Sequence, residues 1–334
     1  MESPAQPHPA IKPHLPTTTT TPAASVHRDR WKWEDVVRTV QYQLSQSLSK
    51  NPKPARLFAV DLSLVAFGVR TGYLVDAFVV DQPRETFSAF LHDLRQRCSL
   101  FQQVVLIYEP RSEQSFFVHV PLLLLRVSGT AQGREQLPIN DLQDLSFIRI
   151  VDPPEILSET PSHLVVVLLD FCNQLNSKYP EQLPTMISPS EELSFHVNVP
   201  LAAFILEYSV AYCPDDFASE DGPSTYLSRI PLDVYECILS FAFIEGSIVG
   251  KQRLDAGSAT ASPRLGNRGQ SKTHTHSLLK FSCPAQFHNF SPGLRPVSLI
   301  SQLRSKFVAR IARSGITCTL KVQHSTVTLD GIAL

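Results

Sequence analysis

"SLISQLRSKFVARIARSGITCTLKVQHSTVTLDGIAL", residues 298–334, changes its hydrophobic period midway, and that change decides the fold class. In the first half Leu299 or Ile300, Leu303, Phe307 and Ile311 fall on one helical face, and Ser314 with Gly315 supplies the stop. In the second half Ile316, Cys318, Leu320 and Val322 alternate with Thr317, Thr319, Lys321 and Gln323, the period of a half-buried strand. A turn at His324–Ser325 is expected to send the chain back antiparallel with Val327 and Leu329 inward. Asp330 and Gly331 then bend it so that Ile332 and Leu334 cover the core, tying down a chain end that would otherwise fray.

Upstream, the same mixture of periods continues. Residues 31–50 read as a helix through Val36 or Val37, Val40, Leu44 and Leu48. Pro52 and Pro54 break it, and "ARLFAVDLSLVAF" (55–67) supplies a β-rich string around Asp61. "RETFSAFLHDLRQRCSL" (84–100) returns to helix with Phe87, Phe90, Leu91 and Leu94 on one side, and "QQVVLIYEP" and "QSFFVHV" read as two strands. "PLLLLRVS" (121–128) fits strand or helix, with Pro121 in a first turn favouring helix. "LSFIRIVDPPEIL" (145–157) is a strand ended at Asp152 by two prolines, and residues 162–179 form a helix after a polar cap. "VPLAAFILEYSVAYCPDD" (199–216) holds a short helix through Leu206, then a strand from Val210 to Cys213 that stops at Pro214 and Asp215. "LSRIPLDVYECILSFAF" (227–243) is a long strand or a bent pair. The expectation is an α/β fold: a single mixed-sheet domain over residues 31–334 with flanking helices, parallel strands near Asp61 and Asp152, and a C-terminal antiparallel hairpin.

Thirty Lys and Arg face 31 Asp and Glu, so overall charge supports neither a general nucleic-acid surface nor an anionic-membrane surface. Residues 1–30, rich in Pro, Thr and Ala, and residues 250–276, without apolar periodicity, are expected to be disordered. The second segment sets Lys251, Arg253, Arg264, Arg268 and Lys272 against Asp255 alone, and Ser262 precedes Pro263 as a possible phosphorylation target. The six cysteines are too dispersed for a zinc site or a disulfide framework. With no secretory apolar stretch and no apolar run of membrane-spanning length, the expected location is intracellular, cytoplasmic or nuclear.

The chain contains no GxxxxGK[ST] phosphate loop, GxGxxG fingerprint, GxSxG elbow or HExxH helix. What it offers instead is Asp61, Asp152 and Asp215, each at or just beyond the end of a β-like string, where open parallel sheets place their ligands. If these ends converge, the carboxylates can hold a hard cation such as Mg²⁺ or act as an acid and base pair. A strand-end Asp also serves as a turn former or helix cap. A second set pairs Cys213 as nucleophile with His196 or His288 as base, against the commoner role of a buried structural cysteine. His274 and His276 in "THTHS", with Cys283 beyond, lack a fourth ligand and read as solvated residues of the insertion. No cofactor is indicated. The expected function is a non-catalytic protein-interaction module contacting partners through the tail or the 250–276 insertion. The alternative is a cation-dependent enzyme or small-ligand binder using the three aspartates.

Several segments, "LLKFSCP", "TLKVQHSTVTLDGIAL", "FILEYSVAYCPDD" and "SRIPLDVYECIL", resemble the uncharacterised protein family named after chromosome 1 open reading frame 74. The resemblance spans about residues 35–334 without the insertion and implies no established activity. It matches Asp61 in "LFAVD" to the family's early Asp-containing strand, and Asp152 in "IRIVDPPEIL" to its strand–Asp segment. Val210 to Asp215 matches its apolar strand with an aromatic and acidic end, although Cys213 and Pro214 replace bulkier residues.

Overall fold

The computed structural model describes residues 31–48, 51–128, 144–176, 183–214, 226–227, 229–243, 272–328 and 332–333. The chain opens with α1 (Trp33–Ser47), which buries Val36, Val37, Val40 and Leu44 as their spacing predicts. α2 (Pro52–Ala66) follows where the sequence led us to expect a strand around Asp61. Its prolines are at the helix start, where a missing N–H costs nothing, and the Asn51 side chain accepts the Lys53 amide N–H at 3.3 Å. From Phe58 to Ala66 every residue is buried, so no polar stripe marks the helical period. α3 (Pro83–Arg97) packs against α1 and buries Phe87, Phe90, Leu91 and Leu94.

The first sheet is ordered β1-β3-β2-β6. β1 (Gly72–Leu74), β2 (Val104–Glu109) and β3 (Gln114–His119) pair antiparallel, and β6 (Met186–Ile187) runs parallel to β2. "PLLLLRVS" is helical, in α4 (Val120–Ser128). β4 (Ser146–Arg149) pairs antiparallel with β5 (Glu155–Ile156) and parallel with β7 (Val210–Cys213). α5 (Ser162–Asn176) and α6 (Phe195–Leu206) lie between these strands in sequence, as expected. β8 (Tyr226–Leu227) pairs with β12 (Ile332–Ala333). The site described below rests on the remaining sheet, in which β9 (Pro231–Phe243) lies between β10 (Lys272–Pro284) and β11 (Cys318–Thr328), both antiparallel to it. α7 (Pro296–Ser314) packs on β9 and β11 and ends at Gly315, whose φ of +72° is the left-handed stop that glycine favours.

Mixed α/β architecture with antiparallel C-terminal strands is as expected, and four details differ. Among the described residues the strands form four hydrogen-bonded sheets rather than one mixed sheet, and a parallel pair lies near Asp152 but not at helical Asp61. β11 runs straight through His324 and Ser325, because the long central β9 pairs with it from Cys318↔Phe241 to Thr328↔Pro231 and leaves no place for the expected turn. Residues 272–276, assigned to the insertion by composition, begin β10. Residues 1–30, the insertion before 272, Ser262 and the Asp330–Gly331 bend lie outside the described residues. Among the described residues no helix is long and apolar enough to cross a membrane.

Close approach and one buried charge pair fix the packing. A Cβ on Gly72 would overlap the Ile205 Cγ2 methyl and lie 3.2 Å from the Ile205 carbonyl oxygen. Gly72→Ala is therefore expected to cost about 1–3 kcal/mol in equilibrium urea unfolding. Glu207, at φ +66° just after α6, is buried and accepts the Thr71 amide N–H at 2.8 Å and Arg310 Nη1 at 2.7 Å. Burial raises the Glu207 carboxyl, but the Arg310 and Arg126 guanidiniums outweigh it and hold the group well below the usual carboxylate range. A depressed folded-state value stabilises the fold above the unfolded carboxyl value near ~4.3, and that contribution is lost as pH falls toward the folded value. Glu207→Gln, which leaves the buried Arg310 guanidinium without its carboxylate, should lower stability at pH 7 by about 3 kcal/mol, with the gap to wild type narrowing below pH ~4.

Candidate functional site

β9 alternates along its length: Asp233, Tyr235, Cys237, Leu239 and Phe241 are buried, whereas Val234, Glu236, Ile238 and Ser240 are partly exposed. Directly opposed residues of antiparallel strands share a face. The register therefore adds Cys283, Phe281, Leu279 and His276 from β10, and Thr326, His324, Val322 and Leu320 from β11, to this inner face. The row Leu279–Cys237–Val322 is apolar, and polar groups gather on either side of it.

On one side, Asp61 of α2 meets His276, with Nε2 to Oδ1 at 3.0 Å, and pairs with Arg70. The three side chains are only 8–11% exposed. The Arg70 guanidinium also lies 5.8 Å from the Tyr73 ring centroid, and burial, with Asp61 and Asp76 adding to it, holds the Tyr73 hydroxyl above its usual range. One cation matches one carboxylate here, so the cluster is complete as a clasp between α2 and β10.

On the other side, Asp233 meets three side chains, His324 and Thr326 by hydrogen bond and His288 by a close ion-pair contact that is not a hydrogen bond. Its Oδ1 faces His324 Nε2 at 2.8 Å and accepts the Thr326 hydroxyl at 2.7 Å, while Oδ2 pairs with His288 Nε2. His288 comes from the helical turn Ala285–Asn289 directly after β10. Among the described residues no Lys or Arg pairs with Asp233, whose side chain is 2% exposed, whereas the two imidazoles are 25% and 26% exposed. An ionised carboxylate can only accept, so the His324 ring presents N–H at Nε2 and keeps Nδ1 as its remaining proton site, whereas His288 Nε2 lies against Oδ2 without a hydrogen bond. The Tyr235 ring lies 5.0 Å from that of His324, and its hydroxyl is buried without a hydrogen-bond partner among the described residues. Burial, with Asp233 next, holds that hydroxyl above its ordinary range. Burial, again with Asp233 adding, pushes the Cys283 thiol opposite Asp233 up to about 12, so this cysteine is no thiolate at neutral pH.

The residues singled out from the sequence do not form this centre, with one exception. Asp61 is mid-helix rather than at a strand end, Asp152 is exposed in the bend between β4 and β5, and Asp215 lies outside the described residues. Cys213 is buried on β7, His196 begins α6 with its ring 3.7 Å from that of Phe195, and His288 turns to Asp233 rather than to a thiol. His276 is not a solvated residue of an insertion but a buried member of β10. Among the described residues no group of three or more His, Cys, Asp or Glu side chains is arranged to hold a metal ion. At Asp233 both Nε2 atoms are turned to the carboxylate, not to a shared point between them.

No family model, curated protein or solved structure matches the chain. The resemblance seen in the sequence gains no support from these comparisons, and the centre is read from its geometry. Its signal lay in the period: Asp233 occupies the inward phase of "DVYECILSF", and His324 and Thr326 continue the inward phase of Cys318, Leu320 and Val322.

An unpartnered buried hydroxyl is costly, so Tyr235→Phe is expected to stabilise the ligand-free protein by about 1 kcal/mol. Differential scanning calorimetry should show a higher midpoint for the variant, and a lower one would mean that the hydroxyl has a partner.

Proposed function

We propose that the chain binds a small polar ligand at the Asp233 centre and exchanges protons with it through His288 and His324. The carrying observation is the shared carboxylate: two partly exposed imidazoles lie against one buried Asp, His324 by a hydrogen bond from Nε2 that keeps Nδ1 for another partner and His288 by ion-pair contact. General acid–base catalysis needs a group that takes a proton and a group that gives one, both held in a fixed direction. Here the neutral ring takes a proton at Nδ1, and the protonated ring gives one from the same atom. Asp233 keeps the His324 tautomer fixed and holds His288 by contact, and the β9–β11 register, with Thr326 bonded to the same carboxylate, supports His324. Cys283, protonated at neutral pH, takes no nucleophilic part in this reading.

Carbethoxylation by diethyl pyrocarbonate, whose carbonyl is attacked by an unprotonated imidazole nitrogen with loss of ethanol and carbon dioxide, tests the reading in the full-length protein. Peptide mass spectrometry is expected to find His288 and His324 modified in the folded state and His276 spared, and Asp233→Asn should alter the rates at the first two rings alone. If both rings stay inert until the protein unfolds, the Asp233 cluster is a structural clasp, and the non-catalytic interaction module becomes the preferred function.

A further inference from the structure

We infer that the ligand of the Asp233 centre carries a phosphate-type oxyanion, recognised jointly by His288, His324 and Arg295. The inference rests on the acid–base reading and adds the chemical class of what is bound. Its independent observation is Arg295. This residue is exposed, and its Nε donates to the backbone carbonyl oxygen of His288 at 3.3 Å. That bond ties the guanidinium to the turn bearing the imidazole. It engages only Nε, leaving the two terminal amino groups for a ligand. Among the described residues no carboxylate pairs with Arg295, in contrast to Arg70 with Asp61 and Arg310 with Glu207.

A guanidinium anchored through one nitrogen grips two oxygens of a tetrahedral anion through the others, which a single ammonium cannot do. The imidazoles suit the same partner. With His324 Nε2 committed to Asp233, that ring offers a charged N–H from Nδ1 when protonated and accepts from a hydroxyl of a partly protonated phosphate when neutral, while a protonated His288, held against the same carboxylate by contact, adds a second cation. The one buried acid of the centre is already covered by His288, His324 and Thr326, so its charge is turned away from an arriving anion. Arg295 is also the residue immediately before α7, whose first turn has no side-chain cap and contains no acidic residue, so the local field adds to the attraction for an anion.

The same carbethoxylation reaction, run with inorganic phosphate or with sodium chloride at matched ionic strength, separates this inference from the reading beneath it. Phosphate is expected to slow modification of His288 and His324 saturably, at least tenfold more than chloride does, while leaving other reactive histidines unaffected. Scored against each protein's own phosphate-free rate, Arg295→Gln is expected to weaken the protection about tenfold. Arg295→Lys should recover only part of it, because the charge remains and the fork is lost. Rings that react but gain no protection from phosphate beyond that of chloride overturn the oxyanion assignment and leave the acid–base reading intact. Rings that never react overturn both. Flotation with vesicles containing phosphatidic acid separates a soluble phosphate compound from a lipid headgroup: the protein should remain unfloated, and flotation lost on Arg295→Gln overturns the small-molecule assignment.

Discussion

A single buried carboxylate, Glu207, joins segments that apolar contact alone would leave free to slide. Hydrophobic burial is non-directional, so a stripe such as Leu299, Leu303 and Phe307 fixes which face of α7 turns inward but not where the helix stops along its axis. Arg310 supplies that stop. It reaches Glu207 at the end of α6 and the Val69 carbonyl oxygen ahead of β1, while Glu207 also holds the amide of Thr71. With α7 set in this way, the chain leaving Gly315 enters β11 in the register that puts His324 beside Asp233.

Much of this order is legible in the sequence wherever the period is local and one-sided. The end of α6 at Leu206 and the strand Val210–Cys213 are both read from "VPLAAFILEYSVAYC", since a short apolar helix and a short apolar strand flank polar Glu207. α2 was hidden because burial on all sides erases the period, and because Pro52 and Pro54 look like breakers until their place in the first turn is known. The His324–Ser325 turn was a plausible local reading that β9 overrides, since its length pairs β11 along the whole of Cys318–Thr328.

The candidate site was harder to read, although the signals were present. Asp233 stands in phase with Tyr235, Cys237 and Leu239, so a strict period-2 reading already places a carboxylate on a buried face. What the sequence withholds is the partner. His324 is 91 residues away along the chain, and His288 enters from a turn that has no periodicity to project. Asp61 shows the reverse: expected at a strand end, it lies on a helix, where it pairs with Arg70 and meets His276.

The pairing of β9 with β10 begins with Phe243 opposite Lys272, so the segment between them leaves and re-enters the sheet at facing positions. Chain joining such points pays a closure entropy that grows only with the logarithm of its length, about 0.6 kcal/mol for each doubling. The ladder from Lys272 to Pro284 is consequently almost indifferent to how many residues separate Phe243 from Lys272 along the chain. The fold can gain or shed sequence there without disturbing Asp233, which sits near the opposite end of the same strand, across from Cys283.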